Sequence, residues 1–210
     1  CAAFQATTIN LSAFGEVRVK PDMATINIGV TTEAPTAAEA SRQNASHMNE
    51  VTAALRKQGV EAANIQTTGL NLHPQYSYEK NEAPRVRGYQ AQNQVTVRVM
   101  DLEKLGRIVD AVVASGSNQI HGIAFGLAKP AEAENRARVA AVEALRAKAE
   151  LYAKATGHRV SRLVNLSESG GYAPPMPQRA YMAMEAKMDS TPVSAGELQV
   201  RIDVNGMYEL

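Results

Sequence analysis

Hydrophobic and polar positions alternate with period two along much of this chain. Thr7, Ile9, Leu11 and Ala13 fall on one side of a first strand, and Phe14-Gly15 interrupts the pattern before Val17 and Val19, which predicts a bulge at the glycine. Ala24, Ile26, Ile28 and Val30 then alternate with Thr25, Asn27, Gly29 and Thr31. Pro21-Asp22 lies between the two runs and reads as the corner of a hairpin that pairs them, since proline pre-sets φ and aspartate bonds its own backbone two residues on.

The period lengthens after Pro35. Thr36-Ala-Ala-Glu39 is a capping box, and Ala40, Met48, Val51 and Leu55 share one helical stripe that ends before Gly59, with Asn44 as a polar interruption. A long strand opens at Ile65 and passes through Leu70, Leu72, Tyr76 and Tyr78; a polar loop, Glu79 to Arg85, leads into a second, Val86 to Val99. In that strand Tyr89, Ala91, Asn93, Val95, Val97 and Val99 oppose a wet face of Gln90, Gln92, Gln94, Thr96 and Arg98. Asp101 caps a second helix whose apolar face is Leu102, Leu105, Ile108, Val109, Val112 and Val113. Ile120 to Leu127 is a short strand with small residues Gly122, Ala124 and Gly126 on one side, which would admit a close neighbour. Pro130 starts the longest helix, to Thr156, with Val139, Val142, Leu145, Ala149 and Tyr152 expected inward.

Val160 to Leu166 and Leu198 to Tyr208 complete the strands. The order ββαββαβαββ predicts an α+β fold, mixed sheet or sheets covered by three helices, with a long irregular connection over 170–196. Strand, helix, Gly and a strand ending in Gly-Leu occur from Ile26 to Leu70 and again from Val95 to Leu127, which fits two βαβ-like units. With 210 residues the chain reads as one compact unit, residues 9–210, behind a tail at 1–8.

Charge removes some functions. Twenty-two Lys and Arg against 21 Asp and Glu give a net charge of +1, and no basic stripe with interleaved aromatics is present, so nucleic acid is not an expected partner. No run approaches the roughly 20 apolar residues that cross a bilayer. The sole cysteine, Cys1, has two readings: the remnant of a removed signal or expression sequence, or the lipidated first residue of a bacterial lipoprotein, tethering the chain at its end.

Candidate chemistry is sparse. His47, His73, His121 and His158 lie on separate elements without metal-site spacing, and His121 is expected to share a face with Ile123 and Phe125. Glu132 and Glu134 suit the start of a helix. Glu168-Ser-Gly-Gly-Tyr172 lacks the Lys-Ser/Thr ending of a phosphate loop and reads as a solvated turn. The segment Tyr172 to Met188 is the most unusual. Pro174, Pro175 and Pro177 favour extended backbone, while Tyr172, Met176, Tyr181, Met182, Met184 and Met188 offer adaptable apolar contact for an oligomer arm. Thioethers are also soft Cu(I) ligands that oxidise reversibly, which makes Met182, Met184 and Met188 alternative metal or oxidant-scavenging candidates.

The opening SAFGEVRVKPDMATINIGV resembles that of the SIMPL-domain family, in which G-[EK]-x-x-V-x-P-D-x-A leads into a strand. KQGVEAANIQT, RVRGYQAQNQVTVRV, LGRIVDAVVASGSNQIHGIAFGL, KAELYAKATG and VSAGELQVRIDV follow in order, so the resemblance runs from Ile9 nearly to the end. For members of the YggE-like and periplasmic-immunogen types it implies a bacterial envelope protein carrying a signal peptide, exported to the periplasm or associated with the outer membrane. It also implies a link to oxidative-stress defence and, for some, large homo-oligomers. It carries no catalytic residue set and no cofactor. The expectation is therefore a non-enzymatic, self-associating envelope protein, with an envelope ligand or Cu(I) binder as the alternative.

Overall fold

The computed structural model describes residues 6–174 and 191–210. Its elements are β1 (Thr8–Val19), β2 (Met23–Ala34), α1 (Ala37–Lys57), β3 (Ile65–Ser77), β4 (Arg85–Val99), α2 (Leu105–Ala114), β5 (Gln119–Gly126), α3 (Ala131–Ala155), β6 (Arg162–Gly170) and β7 (Leu198–Glu209). The order and the α+β class are as the periodicity predicts. The strands form two sheets, β1-β7-β6 and β3-β4-β2-β5, in which every neighbouring pair is antiparallel. Where length alone reads as one compact unit, backbone contacts divide the chain into two: Cys1–Pro21, Leu127–Pro174 and Gly196–Leu210 in the first, Asp22–Gly126 and Pro175–Ala195 in the second.

The hairpin expected at Pro21-Asp22 does not form. β1 pairs along its whole length with β7, from Thr8 opposite Glu209 to Val19 opposite Leu198, while β2 pairs with β4 and β5. Proline and aspartate mark the passage from one unit to the other. Period-two alternation shows that a strand has an apolar face; it does not say which strand lies beside it.

In the second unit β2-α1-β3 and β4-α2-β5 are the two βαβ-like units, interleaved so that each pair of like-directed strands is separated by one antiparallel strand. This is the split βαβ, ferredoxin-like arrangement. Ile26, Ile28 and Val30 of β2, Val95, Val97 and Val99 of β4, Met48, Val51 and Leu55 of α1, and Leu105, Ile108 and Val112 of α2 form one core. Burying each large aliphatic side chain contributes roughly 2 kcal/mol. The cap on α1 is as expected, the Glu39 N–H donating to Thr36 Oγ1 at 3.2 Å. Val113, expected inward, is 55% exposed. His121 does not share a face with Ile123 and Phe125. The β2–β5 ladder slips between Asn27 and Ile28, with Gly122 at φ 138°, so Ile120, Ile123 and Phe125 all pack on the core while His121 turns outward. The small side of β5 thus includes the bulge that re-aims it.

The first unit lays α3 on β1 and β7. Ala133, Ala137, Ala141, Leu145, Ala149 and Ala153 are its buried residues, spaced by four throughout. Leu145 and Ala149 are inward as predicted. Val139 and Tyr152 are not, being 58% and 49% exposed, and Val142 is half-buried. Gly15 explains this choice: a Cβ there would lie 2.0 Å from the Ala137 carbonyl oxygen and 2.4 Å from the Ala141 nitrogen. The helix backbone rests on the strand, and only methyl-sized side chains fit between. No bulge occurs at Gly15, since the register with β7 is unbroken. The glycine admits a helix, where the sequence suggested a kinked strand.

Candidate functional site

Of the residues expected to form a contact arm, Tyr172 is the one whose position is described. Its backbone N–H donates to Glu134 Oε1 at 3.0 Å, and its hydroxyl accepts from the Leu127 N–H at 2.9 Å. Arg138 lies 3.7 Å from Glu134 and 2.9 Å from Glu168, so the start of α3 and the end of β6 are tied to the same point. Glu134, assigned by sequence to a favourable helix-start charge, is also the anchor for this tyrosine. Glu168 to Gly170 lie in β6, so the glycine-rich stretch is for the most part strand, not a solvated turn. Cys1, Met176, Tyr181, Met182, Met184 and Met188 lie outside the described residues. Beyond the segment, Thr191 donates through both its N–H and its hydroxyl to the Asp110 carboxylate of α2, and Val193 packs on the core of the second unit.

The histidines stay apart: His47 is on α1, His73 on β3, His121 on β5, and His158 follows α3 with Nδ1 2.9 Å from the Thr156 carbonyl. Among the described residues no three His, Cys, Asp or Glu side chains converge as a metal site.

Exposed apolar surface lies on two strands at sheet edges. β6 is exposed at all nine positions, and Leu163, Val164 and Leu166 show 41–44% of their surface. Its register with β7 slips between Leu163 and Asn165, which places Leu163 opposite Tyr208 and Leu166 opposite Gly206 on the buried face of β7. On that face α3 lies chiefly over β1 and β7 and meets β6 through the Arg138–Glu168 ion pair. β3 and β4 extend past the end of β2, whose last pairing is Ala34 with Tyr89, as a two-stranded arm carrying exposed Tyr76, Tyr78 and Val86. On the other face of β1 and β7, Arg201 stacks 3.9 Å from the Phe14 ring centroid and grips Asp203 through Nε and a terminal nitrogen, the shortest bond being 2.7 Å. The bond from Arg201 lowers the Asp203 pKa against a smaller opposing loss of hydration, and raises that of Arg201.

The second unit also holds a groove of about 500 Å³, between α1 and the inner side of β3. Leu70 opposes Asn93 and Leu72 opposes Ala91 across the β3–β4 ladder, and Asn44 and Ala45 of α1 form the other wall. Asn44, read from sequence as an interruption, is a buried clamp: its amide donates to the Val30 and Ala91 carbonyls at 2.8 and 2.9 Å. Asn93 Oδ1 is buried without a hydrogen-bond partner. Both asparagines interrupt apolar runs, and that interruption is the signal by which sequence could have found them.

The sequence pattern of SIMPL, described as a protein of unknown function (DUF541), matches residues 9–208. The chain belongs to the SIMPL family. The match runs through both compact units of this SIMPL protein, from β1 to β7. Relatives include the 26 kDa periplasmic immunogenic protein of Brucella melitensis biotype 1, 35% identical over 214 residues, covering 98% of this chain and 86% of that one. The uncharacterized protein YggE of Edwardsiella ictaluri is 30% identical over 146 residues, covering 70% of this chain and 61% of its own. Its Escherichia coli K12 counterpart is 27% identical over 186 residues, 89% of this chain and 74% of that one.

Proposed function

We propose that this SIMPL protein is a non-enzymatic component of the bacterial envelope, resident in the periplasm, that works by assembling with copies of itself. The observation that carries the reading is β6: an edge strand exposed at every position, with Leu163, Val164 and Leu166 each more than 40% exposed. Natural edges are usually guarded by charge or proline; the two charges of β6, Arg162 and Glu168, are both held in ion pairs, and the apolar side chains between them leave the strand open to strand addition. The Tyr76, Tyr78 and Val86 arm adds a second such surface. A periplasmic setting is supported by the Brucella relative, whose name places it there and whose similarity spans 98% of this chain. In this reading the part in oxidative-stress defence implied by the family resemblance is played by an assembly, with no reacting centre of its own.

Size-exclusion chromatography with light scattering tests the proposal. The chain is expected to elute as a multimer at about 50 μM, and a Leu163→Lys, Leu166→Lys variant to shift to smaller species with its circular dichroism unchanged, because lysine on an edge blocks pairing. A wild-type chain that stays monomeric at that concentration sinks the idea.

A further inference from the structure

β4 is one of the two central strands in the sheet of the second unit, and its glutamines line the face opposite the core under α1 and α2. One row crosses all four strands: Gly69 on β3, Gln94 on β4, Gly29 on β2 and Gln119 on β5 are successive cross-strand partners. Glycine and glutamine alternate along it. A Cβ at Gly29 would lie 3.0 Å from Gln119 Oε1 and 3.1 Å from His121 Nε2, so both groups lean over the bare glycine; one at Gly69 would lie 3.4 Å from Gln94 Oε1. Glycine inside a strand weakens it, and two in one row mark a close approach to the backbone. Two irregularities bracket the row. β3 slips against β4 between Thr67 and Gly69, and β5 slips against β2 beside Gly122, the bulge that turns His121 outward.

Between them lies a pocket of about 160 Å³, with Asn71, Gln92, Gln94, Gln119 and His121 around Gly69. No Lys, Arg, Asp or Glu lines it. Asn71 and His121 are exposed and the three glutamines half-buried, so their polar groups can be reached from solvent. Among the described residues none of these five side chains has a hydrogen-bond partner within the protein; Gln94 and Gln119 accept only through their backbone carbonyls. Each carboxamide offers donors and an acceptor, and the imidazole offers both as well. A fitting occupant is neutral and both donates and accepts at several neighbouring points, as hydroxyls on adjacent carbons do. A peptide strand pairs through a sheet edge, whereas this pocket opens on a face between paired strands. The volume is below the roughly 300–1,000 Å³ of drug-sized sites and suits a single six-membered sugar ring.

We propose that this pocket binds one neutral pyranose ring, its adjacent hydroxyls hydrogen-bonded by Gln92, Gln94, Gln119 and His121 and a C–H face of the ring resting on Gly69. None of these residues belongs to β6 or to the Tyr76, Tyr78 and Val86 arm, so loss of sugar binding and loss of self-assembly are separable.

The test titrates the full chain with the methyl glycosides of glucose, galactose and N-acetylglucosamine, following the side-chain amide signals of Asn71, Gln92, Gln94 and Gln119 and the ring of His121. Saturable shifts at these residues are expected with at least one of the three. Cyclohexylmethanol, a similar ring with a single hydroxyl, should bind at least about fivefold more weakly, since one neutral hydrogen bond or more is lost. N-acetylglycinamide, with amides in place of hydroxyls, should also be weaker. Gly69→Leu should abolish binding: the added Cβ would meet only the flexible Gln94 side chain, so β3 stays intact while the leucine fills the pocket. Gln92→Ala should weaken binding by about fivefold with circular dichroism unchanged. No saturable shift with any glycoside, equal affinity for cyclohexylmethanol, tighter binding of N-acetylglycinamide, or undiminished binding by Gly69→Leu overturns the assignment. So do shifts at these residues that follow protein concentration and not sugar, which would put a second copy on this face.

Discussion

Gly15 has no Cβ because α3 occupies the place where one would be. The atoms it would strike, the Ala137 carbonyl and the Ala141 nitrogen, are backbone and cannot rotate aside. Gly15→Ala should therefore destabilise the fold by about 3 kcal/mol, at the upper end of overpacking penalties, read as a lowered denaturation midpoint. Gly157 is the contrast: its φ of 75° makes a side chain strained, but nothing lies within 4 Å, so Gly157→Ala should cost only about 1 kcal/mol. A larger loss at Gly157 than at Gly15 would refute the close approach of helix and strand. Asp203 makes a pH-dependent case. Its pKa is lowered mainly by the bond from Arg201, so the bond's small contribution is present above the unfolded carboxyl's pKa and is lost as pH falls through the folded one. An NMR titration should find Asp203 protonating below the ordinary aspartate value, and Arg201→Gln should move it back up. An unshifted midpoint in the wild type would show that the bidentate bond is absent in solution.

At the scale of the element, α3 shows how a helix with many apolar positions selects its buried face. Valine and tyrosine are more hydrophobic than alanine, yet Val139 and Tyr152 face solvent while the alanines are buried. Contact distance decides, because dispersion and burial both depend on how near the backbones come. Ala141→Leu, adding bulk at the Gly15 crossing, should lower stability by about 2–3 kcal/mol, whereas Val139→Ala should stay within about 0.5 kcal/mol of wild type. Thermal or chemical denaturation of the pair separates the two faces directly; equal effects would mean the ridge is misassigned. α1 and α2 were more legible. Their stripes combine large side chains at regular spacing, and apart from Asn44 and Val113 the predicted faces are the buried ones. Asn44 reads as a weakness in sequence because its two carbonyl partners, Val30 and Ala91, lie on β2 and β4, outside its own helix.

At the scale of the molecule, β7 is the central strand of the first unit, hydrogen-bonded to β1 on one side and β6 on the other. The second unit takes none of its strands from it. Truncation after Ala195 should unfold the first unit and leave the ferredoxin-like sheet intact, visible as dispersed amide signals for residues 22–126 beside collapsed signals for α3 and β6. Loss of all dispersion would show that the second unit does not fold by itself. The family and the order of elements were legible from motifs strung along the chain. The division into two units was not, because β1 finds its partner close to the other end of the sequence.

The sequence by itself determined which segments are strands and helices, where most of the helix caps lie, and which faces of β2, β4, α1 and β7 are apolar. These follow from local periods and capping chemistry, which need no knowledge of neighbours. Only the tertiary structure decided that β1 lies beside β7 and not β2, that α3 turns its alanines inward, that His121 faces out, and that Asn93 is left without a partner beside two exposed leucines. Each of these depends on the distance between residues far apart in the chain, and that distance is set by which surfaces can approach most closely once the elements have formed.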